Sequence, residues 1–170
     1  MSAAGPRYFG KYRATVLNNV DPEMRGRIQV QLGDRYGLFP STWALPAFPV
    51  ASIQSGFVAI PPLRSSVWIE FEAGDPEFPI WTGAFFENPG EMPAMASIGT
   101  PVSPSIVMQT VGQVTLMLSD IPATNVVIKT LTGAAITIGE AGIVISNGKG
   151  ASIALTGPSV IVNAGALTVT

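Results

Sequence analysis

From Val114 onward the chain repeats one short pattern. Alternating aliphatic triplets recur as Val114-Thr115-Leu116, Val126-Val127-Ile128, Ile136-Thr137-Ile138, Ile143-Val144-Ile145, Ile153-Ala154-Leu155, Val160-Ile161-Val162 and Leu167-Thr168-Val169. Gly133, Gly142, Gly150, Gly157 and Gly165 punctuate them about every eight residues. A fixed-period strand-and-turn repeat is the signature of a β-solenoid or a related fibre. The period is short for a solitary coil, because at ~3.3 Å per strand residue one circuit takes roughly 18 residues. Each repeat supplies one side of a triangle, and three chains winding together supply all three. A lone chain of such strands would keep two unpaired edges and no second layer. Its Ile and Val side chains, each worth about 1.5–3 kcal/mol when fully buried, would face water. Low charge and β-branched runs also mark aggregating tails, but glycines spaced this regularly argue for a built structure.

Period-two alternation then divides the side chains. Ile136, Ile138, Ile153, Leu155, Val160, Val162, Leu167 and Val169 are expected on a trimer axis, with Thr137, Ala154, Ile161 and Thr168 outward. Size favours this choice except in the Val-Ile-Val strand, where it is ambiguous.

The rest of the chain differs. After Pro93 only Asp120, Lys129, Glu140 and Lys149 carry charge, and Phe86 is the last aromatic residue. The expected organisation is an N-terminal arm over 1–10, a barrel over 11–92, a linker over 93–105 and the repeat over 106–170. The Pro- and Gly-rich run Asn88-Pro89-Gly90-Glu91-Met92-Pro93, with Pro101 and Pro104, marks the boundary. In the first part, strands are expected at Tyr12 to Val20, Arg27 to Leu32, Trp43 to Leu45, Phe57 to Ile60, Val67 to Glu72 and Ile80 to Phe85. Asp21-Pro22 and Gly74-Asp75-Pro76 serve as turns. Short strands at this spacing predict a small barrel or sandwich.

Composition narrows function. The 170 residues contain no Cys and no His. This removes thiolate nucleophiles, Cys-type zinc sites, and the commonest general base and metal ligand. Only 12% of residues are charged and the net charge is -2, which argues against a polyanion-binding surface. The mean hydropathy is +0.40, yet no stretch of about 18 apolar residues is present to cross a membrane as a helix. The start, Met1-Ser2-Ala3-Ala4-Gly5-Pro6-Arg7, lacks the apolar run of a signal peptide, so synthesis in the cytoplasm without one is expected.

Several blocks in the first half carry a family likeness. They are Gly10-Lys11-Tyr12-Arg13-Ala14-Thr15-Val16; Asn19-Val20-Asp21-Pro22 with Arg25-Gly26-Arg27-Ile28-Gln29-Val30; Trp43-Ala44-Leu45-Pro46; and Gly56-Phe57-Val58-Ala59-Ile60-Pro61-Pro62. Val67-Trp68-Ile69-Glu70-Phe71-Glu72, Gly74-Asp75-Pro76 and Pro79-Ile80-Trp81-Thr82-Gly83 complete the series. In this order and spacing they resemble the OB-fold domain of phage baseplate assembly protein V and of VgrG, the type VI secretion spike. The second half looks like the triple-stranded β-helix that follows this domain in those spikes. The resemblance implies an all-β chain, an N-terminal OB-fold barrel followed by a C-terminal intertwined trimeric β-helix. It implies a homotrimeric central spike in a virion tail baseplate or another injection particle. A hub ring would sit at the OB end, a PAAR-like tip protein at the other, with the target envelope ahead. No lysozyme-like domain separates the halves, which departs from the spikes that carry one.

Few residues suggest chemistry, and no catalytic, cofactor-binding or metal-binding role is expected. Glu70 and Glu72 fall on one face of one strand, whereas glycosidase carboxylates flank a cleft. Asp75, Glu77 and Glu87 lack the density of a calcium loop. Arg25, Arg27 and Arg35 with Tyr12, Tyr36 and Trp43 form the best case for a nucleic-acid groove, but a pI near 5.0 weighs against it. Trp68 and Trp81 are candidates for an interface. A receptor-binding fibre is the alternative to a piercing spike.

Overall fold

The computed structural model of the chain describes residues 6–33 and 40–169. They form two compact units, Met1–Pro89 and Gly90–Thr170, both all-β, with short 3-10 turns the only helical segments described.

The first unit holds β1 (Tyr12–Asn18), β2 (Gln29–Leu32), β3 (Leu45–Pro46), β4 (Ala51–Ser52), β5 (Ser55–Gly56), β6 (Ser66–Phe71) and β7 (Pro79–Phe85). One sheet runs β2-β1-β6-β7-β3, and β4 with β5 forms a separate hairpin. The β3–β7 pairing is parallel, and an antiparallel bridge from Ile28 to Ala44 joins the two sheet edges. The sheet therefore closes on itself as a five-stranded barrel. Alternation explains the core: Ala14 and Val16, Val30 and Leu32, and Val67, Ile69 and Phe71 point inward with Ile28, Ala44 and Trp81.

The β1–β2 connection is pinned by one carboxylate. Asp21 accepts hydrogen bonds from the backbone N–H groups of Glu23, Arg25 and Arg27 at 3.0, 2.8 and 3.1 Å, and from the Arg27 guanidinium at 2.7 and 3.1 Å. The Arg27 guanidinium chiefly, with these backbone donors, holds the Asp21 carboxyl far below the usual carboxylate range. The same bond pushes the Arg27 pKa up. The turn fixes Gly26 at φ +76, where a Cβ would lie 2.9 Å from the Phe48 ring. The Gly26 carbonyl then accepts the Trp81 indole N–H at 3.1 Å.

The second unit holds β8 (Ile106–Gln109), β9 (Thr115–Leu118), β10 (Val126–Lys129), β11 (Ala135–Gly139), β12 (Gly142–Ser146), β13 (Ser152–Thr156), β14 (Ser159–Val162) and β15 (Leu167–Val169). They form one antiparallel sheet in sequence order, each strand hydrogen-bonded to its chain neighbours through short turns. Gly142 is required in its turn: it sits at φ +144, and a Cβ there would lie 2.0 Å from the Leu155 carbonyl oxygen.

Four expectations change. Phe57 to Ile60 is not a strand: Phe57 and Val58 are exposed with no neighbouring strand, and Pro61 and Pro62 end any ladder. β6 stops at Phe71, so Glu72 opens a 3-10 turn and leaves the strand face of Glu70. β8, unforeseen, begins directly after the expected linker. That linker is itself folded, with a 3-10 turn at Ala94–Ser97 and a bridge between Gly99 and Pro104.

Candidate functional site

Residues directly opposite each other in an antiparallel ladder share a face. One column through the second sheet reads Ile106, Leu118, Val126, Ile138, Ile143, Leu155 and Val160, with Val169 opposite Val160. The adjacent column reads Met108, Leu116, Ile128, Ile136, Ile145, Ile153, Val162 and Leu167. Both columns are aliphatic from end to end. The opposite face carries Thr115, Met117, Val127, Thr137, Val144, Ala154 and Ile161, with Lys129, Ser146 and Ser152 at its margin.

The chain treats its two faces differently. Thr115, Met117 and Val127 are buried. The segment Gly90 to Met95 lies on their side, lining a cavity of about 350 Å³ together with Gln109, Thr115 and Lys129. Ser103 Oγ donates to the Asp120 carboxylate and Ser105 Oγ to the Ile98 carbonyl, which tie down the loop over 98–105 that follows. Along the aliphatic face, Ile106, Met108, Leu118, Ile128, Ile136, Ile138, Ile145, Ile153, Leu155, Val160 and Leu167 all remain exposed. A continuous apolar surface of this extent marks an interaction site.

Family comparisons bear on both units. Residues 105–168 match the phage baseplate V C-terminal trimerisation domain. Residues 12–86 match the type VI secretion system/phage-baseplate injector OB domain. The chain belongs to the phage baseplate V family. No curated protein matches it. As a baseplate V chain it is a structural protein of a phage or type VI secretion baseplate, with an OB domain and a trimerisation domain. Among the described residues no helix is long and apolar enough to cross a membrane.

The sheet brings seven of the eight expected axial residues, Ile136, Ile138, Ile153, Leu155, Val160, Val162 and Leu167, onto the aliphatic face, and sets Val169 opposite Val160 in the ladder. It adds residues not singled out from sequence: Ile106, Met108, Leu116, Leu118, Val126, Ile128, Ile143 and Ile145. Their signal was the same alternation in neighbouring strands.

The two tryptophans part company. Trp81 lies inside the barrel, 6% exposed, edge-on to Phe48 at 5.5 Å, so its surface is spent within the chain. Trp68 is half-buried on the outer face, its ring 4.7 Å from that of Phe85 and 5.4 Å from the Arg13 guanidinium.

The candidate chemistry is not assembled. Glu70 pairs with Lys11 at 2.8 Å, apart from Glu72. Asp75 binds Arg7 at 3.0 Å and caps Glu77 N–H, while Glu87 accepts from Ser66. Among the described residues no group of three or more His, Cys, Asp or Glu could hold a metal. Arg27 is committed to Asp21 and Glu23, with Trp43 under its guanidinium at 5.5 Å, and Arg25 pairs with Glu23. Tyr12 packs on Phe71. Arg35 and Tyr36 lie outside the described residues.

One further surface stands out on the barrel. The β4–β5 hairpin raises Ile53 almost fully into solvent, beside exposed Val50, Phe57 and Val58. Leu45, Phe48, Val50 and Val58 line a hollow of about 840 Å³ next to it.

Proposed function

We propose that this chain is the central spike of a contractile tail or related injection particle, a homotrimer that breaches the target envelope mechanically. The observation that carries this reading is the unbroken aliphatic face, left open along eight strands while the other face is partly covered. Three copies turn these faces to a common axis, so Ile136, Ile138, Ile153, Leu155, Val160, Val162, Leu167 and Val169 become the dry centre of a three-walled shaft. Side chains such as Ile136, Ile138, Ile153 and Leu155 keep about two-fifths of their surface exposed in the single chain. Covering that remainder is worth about 1 kcal/mol for each, and threefold symmetry triples it. Eight strands at ~4.8 Å give a shaft of about 35–40 Å. Stiffness follows from hydrogen bonds that run along the axis, strand to strand.

The barrel joins the hub, and the apolar hairpin with Val50, Ile53, Phe57 and Val58 supports that end as the attachment surface. A PAAR-like tip would cap the β15 end. Catalysis plays no part in this reading, and wall degradation would come from another component. The test replaces the chain in its own particle with residues 1–92. Particles that assemble and contract but fail to deliver support the proposal. Delivery at the normal level without the shaft overturns it.

A further inference from the structure

Beyond Pro93 the second unit carries four charged side chains, and the meander sorts them. Asp120 lies in the loop leading into β10, and Lys129 ends that strand. Glu140 lies in the turn leading into β12, and Lys149 lies in the turn leaving it. Both acids therefore occupy one lateral margin of the sheet and both lysines the other. Strands of four or five residues separate the margins by about 15 Å at ~3.3 Å per residue, beyond the reach of an ion pair. Among the described residues, none of the four forms an ion pair within the chain. Glu140 and Lys149 are exposed.

Threefold symmetry fixes what each margin meets. If three sheets stand around an axis parallel to the ladder, every corner brings one margin of a chain against the opposite margin of the next, a heterologous contact that closes on itself. A pure rotation leaves height unchanged. Each acid–base pair brackets a single strand, β10 or β12, so its members lie within about one strand spacing, ~4.8 Å, of the same level. Two strands, roughly 10 Å at ~4.8 Å each, separate the pairs along the axis.

We propose that the corners of the trimer are held by interchain ion pairs: Glu140 of one chain with Lys149 of the next, and Asp120 with Lys129 one step higher. The inference rests on the trimer proposed above and adds what aligns the walls. An aliphatic axis opposes sliding weakly, because every level presents similar side chains. Charges at two levels penalise a wall displaced by one strand, placing each acid away from its lysine.

Zero-length carbodiimide coupling of the full-length protein, followed by peptide mapping, tests the contact. A Glu140–Lys149 amide that joins two chains is expected. Charge exchange is the second arm. Glu140→Lys and Lys149→Glu should each lower the melting temperature of the trimer by several degrees in low salt. The double exchange should recover most of the loss, and 1 M salt should erase the differences. A protein that proves trimeric by light scattering, yet gives no such link and no recovery in the double exchange, overturns the ion pairs and leaves the trimer standing. A monomer overturns both.

Discussion

Ile145 and Val144 are adjacent, lie on opposite faces of β12, and are 43% and 44% exposed in the single chain. A monomeric sheet would respond similarly to a charge at either place. The trimer would not. In Ile145→Asp the lost apolar burial costs about 1 kcal/mol per chain, taking two-fifths of the ~1.5–3 kcal/mol for a fully buried side chain. The carboxylates add more, since desolvating an ion without a partner costs several kcal/mol each. Three on one dry axis therefore cost on the order of 10 kcal/mol per trimer, unless they take up protons instead. Val144→Asp keeps its charges in solvent and costs at most about 1 kcal/mol per chain through strand propensity. Melting followed by circular dichroism, with mass by light scattering, separates the two. Ile145→Asp should dissociate or melt far below the parent, and Val144→Asp should remain trimeric within a few degrees. Equal damage at the two positions, or greater damage at Val144, would refute the assignment of the axial face.

Three further outcomes follow from local structure. Gly142→Ala forces a Cβ against the Leu155 carbonyl at a positive φ and should destabilise by about 1–3 kcal/mol per chain or more, read as a lowered melting temperature. Asp21 has a depressed carboxyl pKa in the folded chain, so its contribution to stability is intact above the unfolded value of about 4. As pH falls below that value the unfolded chain takes up the proton first and stability drops. Asp21→Asn should lower the barrel's stability at pH 7 and flatten this acid slope in urea titrations from pH 6 to 2.5. Residues 1–92 alone should fold and remain monomeric at micromolar concentration by sedimentation, since the aliphatic face lies wholly beyond them.

Much of this was legible in the sequence because period two carries face information directly. Ile136 and Ile138 must share a face whatever their partners, and the paired triplets of neighbouring strands then align in register. Size alone could not assign Val160-Ile161-Val162; the ladder does, setting Val162 opposite both Ile153 and Leu167. Strand ends were read too short because Ser146, Ser152 and Lys129 are polar, and backbone pairing is indifferent to that. Trp81 could not be placed from its neighbours. A bulge between Trp68 and Ile69 sets Trp81 opposite Ile69, inside the barrel, and no residue type announces that irregularity. Phe57 to Ile60 has the composition of a strand, but after the Phe57 N–H donates to the Val50 carbonyl at 3.1 Å no strand continues beside it, a property of the whole fold and not of the segment. The charge segregation of the second unit likewise emerges only when the meander places Asp120 with Glu140 and Lys129 with Lys149.

The mass of the full-length protein in solution tests the central claim most directly. Multi-angle light scattering across a dilution series should return a single species of three chains that persists at low micromolar concentration. A monodisperse monomer or dimer would contradict the account, because the aliphatic face would then be left open or covered in pairs, and no three-walled shaft could form.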